Sequence, residues 1–530
     1  GGDGAPPPPP PHTREPGLGL GWGLGLGLGL GLGFGCRCAA RGAFRGLSLM
    51  RQLLLGVLLL RTSTALRQPK PLPPQFARAF TQAKATPTDI PQAVGTSSGS
   101  DKMAAPPGAS STFDAGNILV KDITDDGEEA VFRLAIKPDP FTHGTDKRSH
   151  MQWFYFRADN VQGRRCRFVI ENIGECSYAA GFEGFNTVAS YDREDWFRVP
   201  SALDKQKAFQ PMTRFNSDAV TAATAGKLSA APGAEETHLV WSMTPEQNTV
   251  WFAYWTPYDW ERHMKVTAEL AALPGFTHVN LGPTLDGRTM DMLITGTGPL
   301  NIWLGARQHP GESMAEWLAE GFLRRLADPH DPKAKELLRI ATVRVVPNMN
   351  PDGSVRGHLR TNAAGANLNR EWWGGVYDDY EAPTLERSPE VYYVMRALEE
   401  YGCDAYIDVH GDEIIEANFF AGSEGIPRWN DDMQRLLDHF SEAYVRASPD
   451  FQIGLGYEKD LPGEANLSVC SNAIAQKFGC LAVTLEQPFK DACPPHDDRY
   501  GWSGPRAMRL GAALVDALLD TRELLESQEK

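Results

Sequence analysis

Long apolar runs are missing from this chain. The longest, residues 53–60, falls well short of the roughly 18 that a membrane-spanning helix needs, which excludes a transmembrane helix and predicts a soluble protein. Cysteine is scarce as well, with 8 in 530 residues: Cys36, Cys38, Cys166, Cys176, Cys403, Cys470, Cys480 and Cys493. None has metal-finger spacing, so covalent staples are not the basis of the fold, and a reduced compartment is the better expectation. Basic excess is lacking too. The 52 Lys and Arg against 67 Asp and Glu give a formal charge of −15, the opposite of a general nucleic-acid binder. An acidic substrate would have to be recognised by a few local cations rather than by the field of the whole molecule.

What remains is ordinary globular composition, 42% hydrophobic and 22% charged, at a length that predicts roughly three domains. Residues 1–110 read as a low-complexity, disordered tail: a proline run from Pro6 to Pro11, a Gly-Leu repeat from Gly17 to Gly35, then Pro, Thr, Ser and Gly up to about Gly108. The chain begins at Gly1 rather than Met, as expected of a fragment or an over-extended gene model. From Met50, a basic residue, an apolar stretch and Thr62-Ser63-Thr64-Ala65 have the layout of a signal or transit peptide, so organellar or secretory targeting stays open beside plain low complexity. Residues 111–260 carry short aromatic and β-branched runs (153–156, 167–170, 250–255) separated by Asn, Asp and Gly, which predicts an all-β sandwich. Residues 261–525 alternate strands with helices. That pattern predicts an α/β domain, a mixed and mostly parallel sheet with helices on both faces.

Four strands in this last region end on chemistry-bearing residues. The run 302–306 leads into His309-Pro310-Gly311-Glu312 and a helix with Met314, Trp317, Leu318, Phe322 and Leu326 at helical spacing. The run 341–346 leads into Asn350-Pro351-Asp352-Gly353, which specifies a tight turn. The runs 405–409 and 481–485 lead into His410-Gly411-Asp412 and Glu486. In open α/β sheets, ligands bind beyond the carboxyl ends of the strands, so His309, Glu312, His410 and Glu486 are expected at one rim. Two imidazoles and a carboxylate form a zinc set that leaves a fourth position for water. Glu486, on an apolar strand beside the metal, is then expected as the general base, with a strand-end carboxylate capping a neighbouring helix as the alternative. An isolated His-x-x-Glu would be read as a capping pair; its convergence with His410 and Glu486 reverses that reading. The Arg- and Asn-rich loop 356–372 suggests anion recognition, with a solvated loop of surface ion pairs as the alternative.

Taken together, H-P-G-E at 309–312, N-P-D-G at 350–353, R-G-H-L-R at 356–360, N-L-N-R at 367–370, D-V-H-G-D at 408–412 and T-L-E at 484–486 resemble the zinc metallocarboxypeptidases related to carboxypeptidase A. More closely they resemble the cytosolic carboxypeptidase branch, which includes tubulin deglutamylases and places a β-sandwich before the catalytic domain. The resemblance covers about residues 113–520. It implies one zinc ion on His309, Glu312 and His410, with Glu486 as base. Arg360 would polarise the scissile carbonyl and stabilise the oxyanion, and Asn369 and Arg370 would bind the substrate's terminal carboxylate. A substrate-covering tyrosine is expected before the base, with Tyr457 as the candidate.

The branch further implies a cytoplasmic location and C-terminal glutamate removal from peptides or acidic protein tails such as tubulin's. Arg356 or Lys490 would be the cation for an acidic side chain, with a solvated surface charge as the equal alternative for either. A zinc amidoacylase of the aspartoacylase kind and a non-catalytic binding protein are the alternatives on the same fold. His143, His150, His238, His263, His278 and His439 have no partners at metal spacing and read as ordinary histidines. Trp372-Trp373 could wall the site or fill the core.

Overall fold

The computed structural model describes residues 105–141, 150–205, 237–372, 382–491 and 495–528. Most of the tail, the segment from Met50, Trp373 and Cys493 lie outside the described residues.

Strands β1 (Gly108–Ser110), β2 (Leu119–Asp125), β3 (Glu129–Ala135), β4 (Tyr155–Asp159), β5 (Arg165–Ile170), β6 (Thr187–Ser190), β7 (Phe197–Val199), β8 (Ala202–Lys205), β9 (Thr237–Met243) and β10 (Thr249–Ala253) form two five-stranded sheets. Their orders are β1-β4-β10-β6-β7 and β2-β3-β5-β9-β8. Alternating burial along β3 and β9 marks sheets with one face covered. The covered faces meet through aromatics. Phe168 of the second sheet stands 4.5 Å, ring centre to ring centre, from Phe252 of the first, and Phe132, Phe156 and Trp241 surround the pair. The 153–156 run is largely a buried lead-in to β4 rather than a full strand.

The second region builds one seven-stranded sheet from β11 (Phe276–Pro283), β12 (Thr289–Gly296), β13 (Leu300–Ala306), β14 (Ala341–Val346), β15 (Ala405–Val409), β16 (Phe419–Ala421) and β17 (Leu481–Glu486). The order is β11-β12-β14-β13-β15-β17-β16. The four central strands run parallel, and the flanking strands pair antiparallel. Helices α1 (Trp260–Ala271), α2 (Met314–Leu326), α3 (Pro332–Ile340), α4 (Pro351–Arg356), α5 (Pro389–Tyr401), α6 (Asp431–Ala447), α7 (Cys470–Phe478) and α8 (Gly504–Asp520) connect and cover them.

Alternate strand residues pack into separate cores. Ile302, Leu304, Ile407, Val483 and Leu485 join a cluster with α2, α3, α6 and α8, whereas Trp303, Tyr406 and Ala482 join one with α5 and α7. That alternation is the period of a strand with both faces covered. It also explains why β15 and β17 are buried along their whole length.

One local expectation is corrected. Asn350-Pro351-Asp352-Gly353 opens the short helix α4 instead of making an isolated turn. The Asn350 side chain caps the Gly353 amide at 3.1 Å, and Pro351 fits the first helical position, where its missing N–H costs nothing. Gly357, with φ 71°, ends the helix in the left-handed region, and a Cβ there would come within 2.8 Å of the Ala115 carbonyl oxygen.

Candidate active site

The carboxyl ends of β13, β14, β15 and β17 lie side by side, so the segments that follow them are neighbours. Past β13 the backbone turns sharply at Arg307 (φ 62°), whose buried guanidinium donates to the Pro310 carbonyl (2.9 Å) and to Glu316 (2.8 Å). This holds the His309–Glu312 turn against the start of α2. His410 follows β15 directly, and its amide donates to Leu485 O of β17 at 2.8 Å. Glu486 is the last residue of β17.

The result is a tight cluster. His309 Nδ1 lies 2.8 Å from Glu312 Oε1, His410 Nδ1 lies 2.8 Å from Glu312 Oε2, and the two Nδ1 atoms are 3.2 Å apart. All three side chains are buried, and one ligand atom from each falls within 4.8 Å of the others. The far nitrogens are occupied. His309 Nε2 donates to Asn367 Oδ1 (3.0 Å) and His410 Nε2 donates to Asp408 Oδ2 (2.9 Å). Each ring therefore turns the lone pair of Nδ1 toward the shared point. Asp408 is itself held by Gln308 Nε2, at 2.8 Å to both oxygens, and Gln308 Oε1 accepts from Trp372 Nε1 at 2.7 Å. This indole thus sits in the core behind the histidine, one of the two positions expected for the Trp pair.

Two carboxylates, Glu312 and Asp408, bring negative charge against the histidines, as a cation site needs. Burial and then the Arg360 charge push the His309 imidazole down to about 3, which keeps it neutral and able to ligate. Burial alone would raise Glu312, but the two imidazoles outweigh it and hold its carboxyl below the ordinary range. For His410, burial is outweighed in the other direction by Asp408 and Glu312. Two nitrogens bound to one tetrahedral zinc at about 2.0–2.1 Å stand roughly 3.3 Å apart, close to the Nδ1 separation seen here. Donor set, spacing and backing carboxylate all fit a zinc ion.

Around this cluster stand the other expected residues. Glu486 is buried, its Oε2 has no hydrogen-bond partner, and burial, with nearby carboxylates partly offset by His410, pushes its carboxyl up to about 8. Arg360 is buried, and its charge acts on His309, Tyr178 and Glu413. The Asn369 amide nitrogen is 3.4 Å from His410 Nε2, and its oxygen accepts from the Cys470 amide at the start of α7 (2.8 Å). Arg370 lies beside it, half-buried, with Nη1 donating to the Asn369 carbonyl at 2.7 Å. Tyr457 donates to Asp412 Oδ2 at 2.7 Å, and burial, followed by the Asp412 and Glu486 charges, pushes its phenol up.

Two expected cations have other partners. Arg356 closes its fork on Asp286 (2.7 and 2.9 Å), a third-exposed ion pair. Lys490 pairs with Glu416 at 3.0 Å and donates to the Glu183 carbonyl.

Sequence reasoning passed over several contributors. Asp408 could have been found, since residues two apart leaving a strand point the same way. Gln308 and Asn367 carry no such signal. Tyr178 comes from the β domain: burial pushes its phenol up to about 12, with the charges of Arg360, Glu413, Glu312 and Arg370 also acting on it. His263, read as ordinary, bridges Glu316 (2.5 Å) and Asp291 (3.0 Å) in a buried network next to Arg307.

A buried His-Glu-His set at the carboxyl ends of parallel strands, beside a carboxylate with one unpartnered oxygen, is the arrangement of a metal-dependent hydrolase. Comparison with known proteins makes this specific. The family model for the cytosolic carboxypeptidase N-terminal domain matches residues 109–224, and that for zinc carboxypeptidase matches residues 264–486. A metallo-carboxypeptidase of Burkholderia cenocepacia, known from its crystal structure, is 40% identical with a TM-score of 0.66, covering 79% of this chain and 99% of that one. An uncharacterized protein of Zymomonas mobilis is 39% identical over 399 residues, 75% of this chain and 92% of that protein. Cytosolic carboxypeptidase 3 of Bos taurus is 26% identical over 338 residues, and the match spans 30% of its length. The chain belongs to the zinc carboxypeptidase family and carries the N-terminal domain of the cytosolic carboxypeptidases. It is a metallocarboxypeptidase, a hydrolase acting on peptide C-termini. Among the described residues no helix is long and apolar enough to cross a membrane.

Proposed function

We propose that the chain removes single residues from peptide C-termini with His309, Glu312 and His410 as the zinc ligands and Glu486 as the general base. The observation that carries this reading is the convergence of His309 Nδ1, Glu312 and His410 Nδ1. When bound, zinc supplies Lewis-acid polarisation and makes water a competent nucleophile near neutral pH. The chain's residues do the rest. Glu486 takes the proton of the attacking water and delivers it to the leaving amine; its buried Oε2 has no hydrogen-bond partner among the described residues. Arg360 offers its guanidinium to the developing oxyanion, an interaction that gains strength in the transition state. Asn369 and Arg370 receive the substrate's terminal carboxylate, which restricts cleavage to the last bond. Tyr457, tethered to Asp412 beside Glu486, covers the bound residue.

We propose further that acidic C-terminal residues are preferred, with acidic tails such as tubulin's as a protein substrate class and the cytoplasm as the location. This rests on the motif resemblance to the cytosolic branch and on the N-terminal domain matched at 109–224. Neither Arg356 nor Lys490 supports it, since both have carboxylate partners. The test is release of the last residue from peptides that differ only there. Faster release of glutamate than of leucine or lysine is expected. Release of apolar or basic residues with polyglutamate left intact would end the proposal.

A further inference from the structure

The β domain packs on the catalytic domain at several places, and one of them is the short segment 355–361. Ala115 N donates to Val355 O (2.9 Å), and Asn117 Nδ2 donates to Gly357 O (3.0 Å). The strongest contact comes from Asp139, four residues past the end of β3. Its carboxylate accepts the amides of Leu359 (2.6 Å), Arg360 (2.8 Å) and Thr361 (2.9 Å) and the Thr361 hydroxyl (3.1 Å). Asp139 is buried.

Three consecutive amides aimed at one anion define a single local curvature of the backbone, and charge-assisted bonds to a buried carboxylate are strong ones. Without that anion the amides would be buried and unpaired, so the segment would have to refold to satisfy them. Leu359 is held from both sides, its amide by Asp139 and its carbonyl by Gly311 N (2.9 Å), which lies inside the His309–Glu312 turn. Arg360 is the next residue, and its charge is felt at His309.

We infer that Asp139 is a positioning residue for catalysis: the β domain uses it to aim the Arg360 guanidinium at the reacting carbonyl. The inference rests on the proposed role of Arg360. It gives the N-terminal domain a part in the reaction that is separate from folding. A displacement of about 1 Å in a catalytic group costs as much as 100-fold in rate, so losing the anchor should act on turnover.

The experiment is a double-mutant cycle on the full, zinc-loaded chain, using whichever C-terminal peptide the wild type cleaves fastest. Asp139→Ala should lower kcat by about 10- to 100-fold with KM changed less than about two-fold, and Asp139→Asn, which keeps an acceptor oxygen, should lose less. In an Arg360→Ala background the same Asp139 substitutions should change kcat by less than about two-fold, because the residue they act through is gone. Zinc content and the thermal midpoint are measured for every variant. The inference is overturned if Asp139→Ala costs the same factor with and without Arg360, if wild-type turnover survives it, or if the Asp139→Asn loss tracks loss of zinc or of folded protein. If Arg360→Ala alone leaves kcat intact, the role given to Arg360 fails and the inference with it. If Arg360→Ala is slow while Asp139→Ala is not, only the inference fails.

Discussion

His410 donates from Nε2 to Asp408 Oδ2 at 2.9 Å, so the imidazole is held from behind by the strand that delivers it. A ligand ring oriented this way presents its other nitrogen in one tautomer and one direction. Replacing Asp408 with Asn keeps the shape and removes the charge. Zinc affinity measured by chelator competition should fall by about 10- to 100-fold, the usual consequence of losing such a partner. Unchanged affinity would mean that the ring needs no carboxylate behind it.

Glu486 has no hydrogen-bond partner on Oε2 and stands apart from the His309–Glu312–His410 contacts. Glu486→Gln is nearly isosteric. It should retain zinc at wild-type stoichiometry while kcat drops by about 100-fold or more, the range expected for removing a general base. Loss of zinc together with activity would recast Glu486 as a ligand.

Arg360 is assigned to charge that develops only as the peptide bond breaks. Arg360→Ala should therefore reduce kcat by about 100- to 1,000-fold and leave KM within a few-fold, as loss of an oxyanion donor does. A rise in KM at constant kcat would instead make it a ground-state binding residue.

Glu390, in the first turn of α5, tests the electrostatics away from the chemistry. Its carboxyl is buried, Oε2 accepts from Asn362 at 3.1 Å, and burial, only partly offset by hydrogen bonds from its own backbone and from Asn362, pushes it up to about 8. The folded state therefore binds a proton that the unfolded chain has released between the ordinary carboxylate range and pH 8. Stability should fall as pH rises through that window. Glu390→Gln removes this dependence. Relative to wild type the variant should gain about 1 kcal/mol or more between pH 5 and pH 8, since one pKa unit is worth about 1.4 kcal/mol. Urea midpoints at the two pH values measure it, and a constant difference would contradict the assignment.

Much of this was legible in the sequence, for a definite reason. β13, β14, β15 and β17 are buried on both faces, so they read as continuous apolar runs, and the residues that end such runs fall on one rim. His309, Glu312, His410 and Glu486 were singled out that way, and the first three converge in space. Asn369 and Arg370 sit in a loop with no periodicity, and only motif resemblance singled them out. Asp139 and Tyr178 could not be read at all, because they reach the site across more than 100 residues of chain, through packing between a sandwich and an α/β sheet. Arg356 was singled out by resemblance as a substrate cation, while Asp286, distant in sequence, closes on it in space, a pairing that the sequence could not show.

The most direct test of the central claim is release of the C-terminal residue from a peptide before and after zinc is stripped by a chelator and then restored, with bound metal counted at each stage. One zinc per chain, activity lost on stripping and regained on adding zinc is the predicted result, with no recovery in a His410→Ala protein. A metal-free protein that cleaves at the wild-type rate would contradict it.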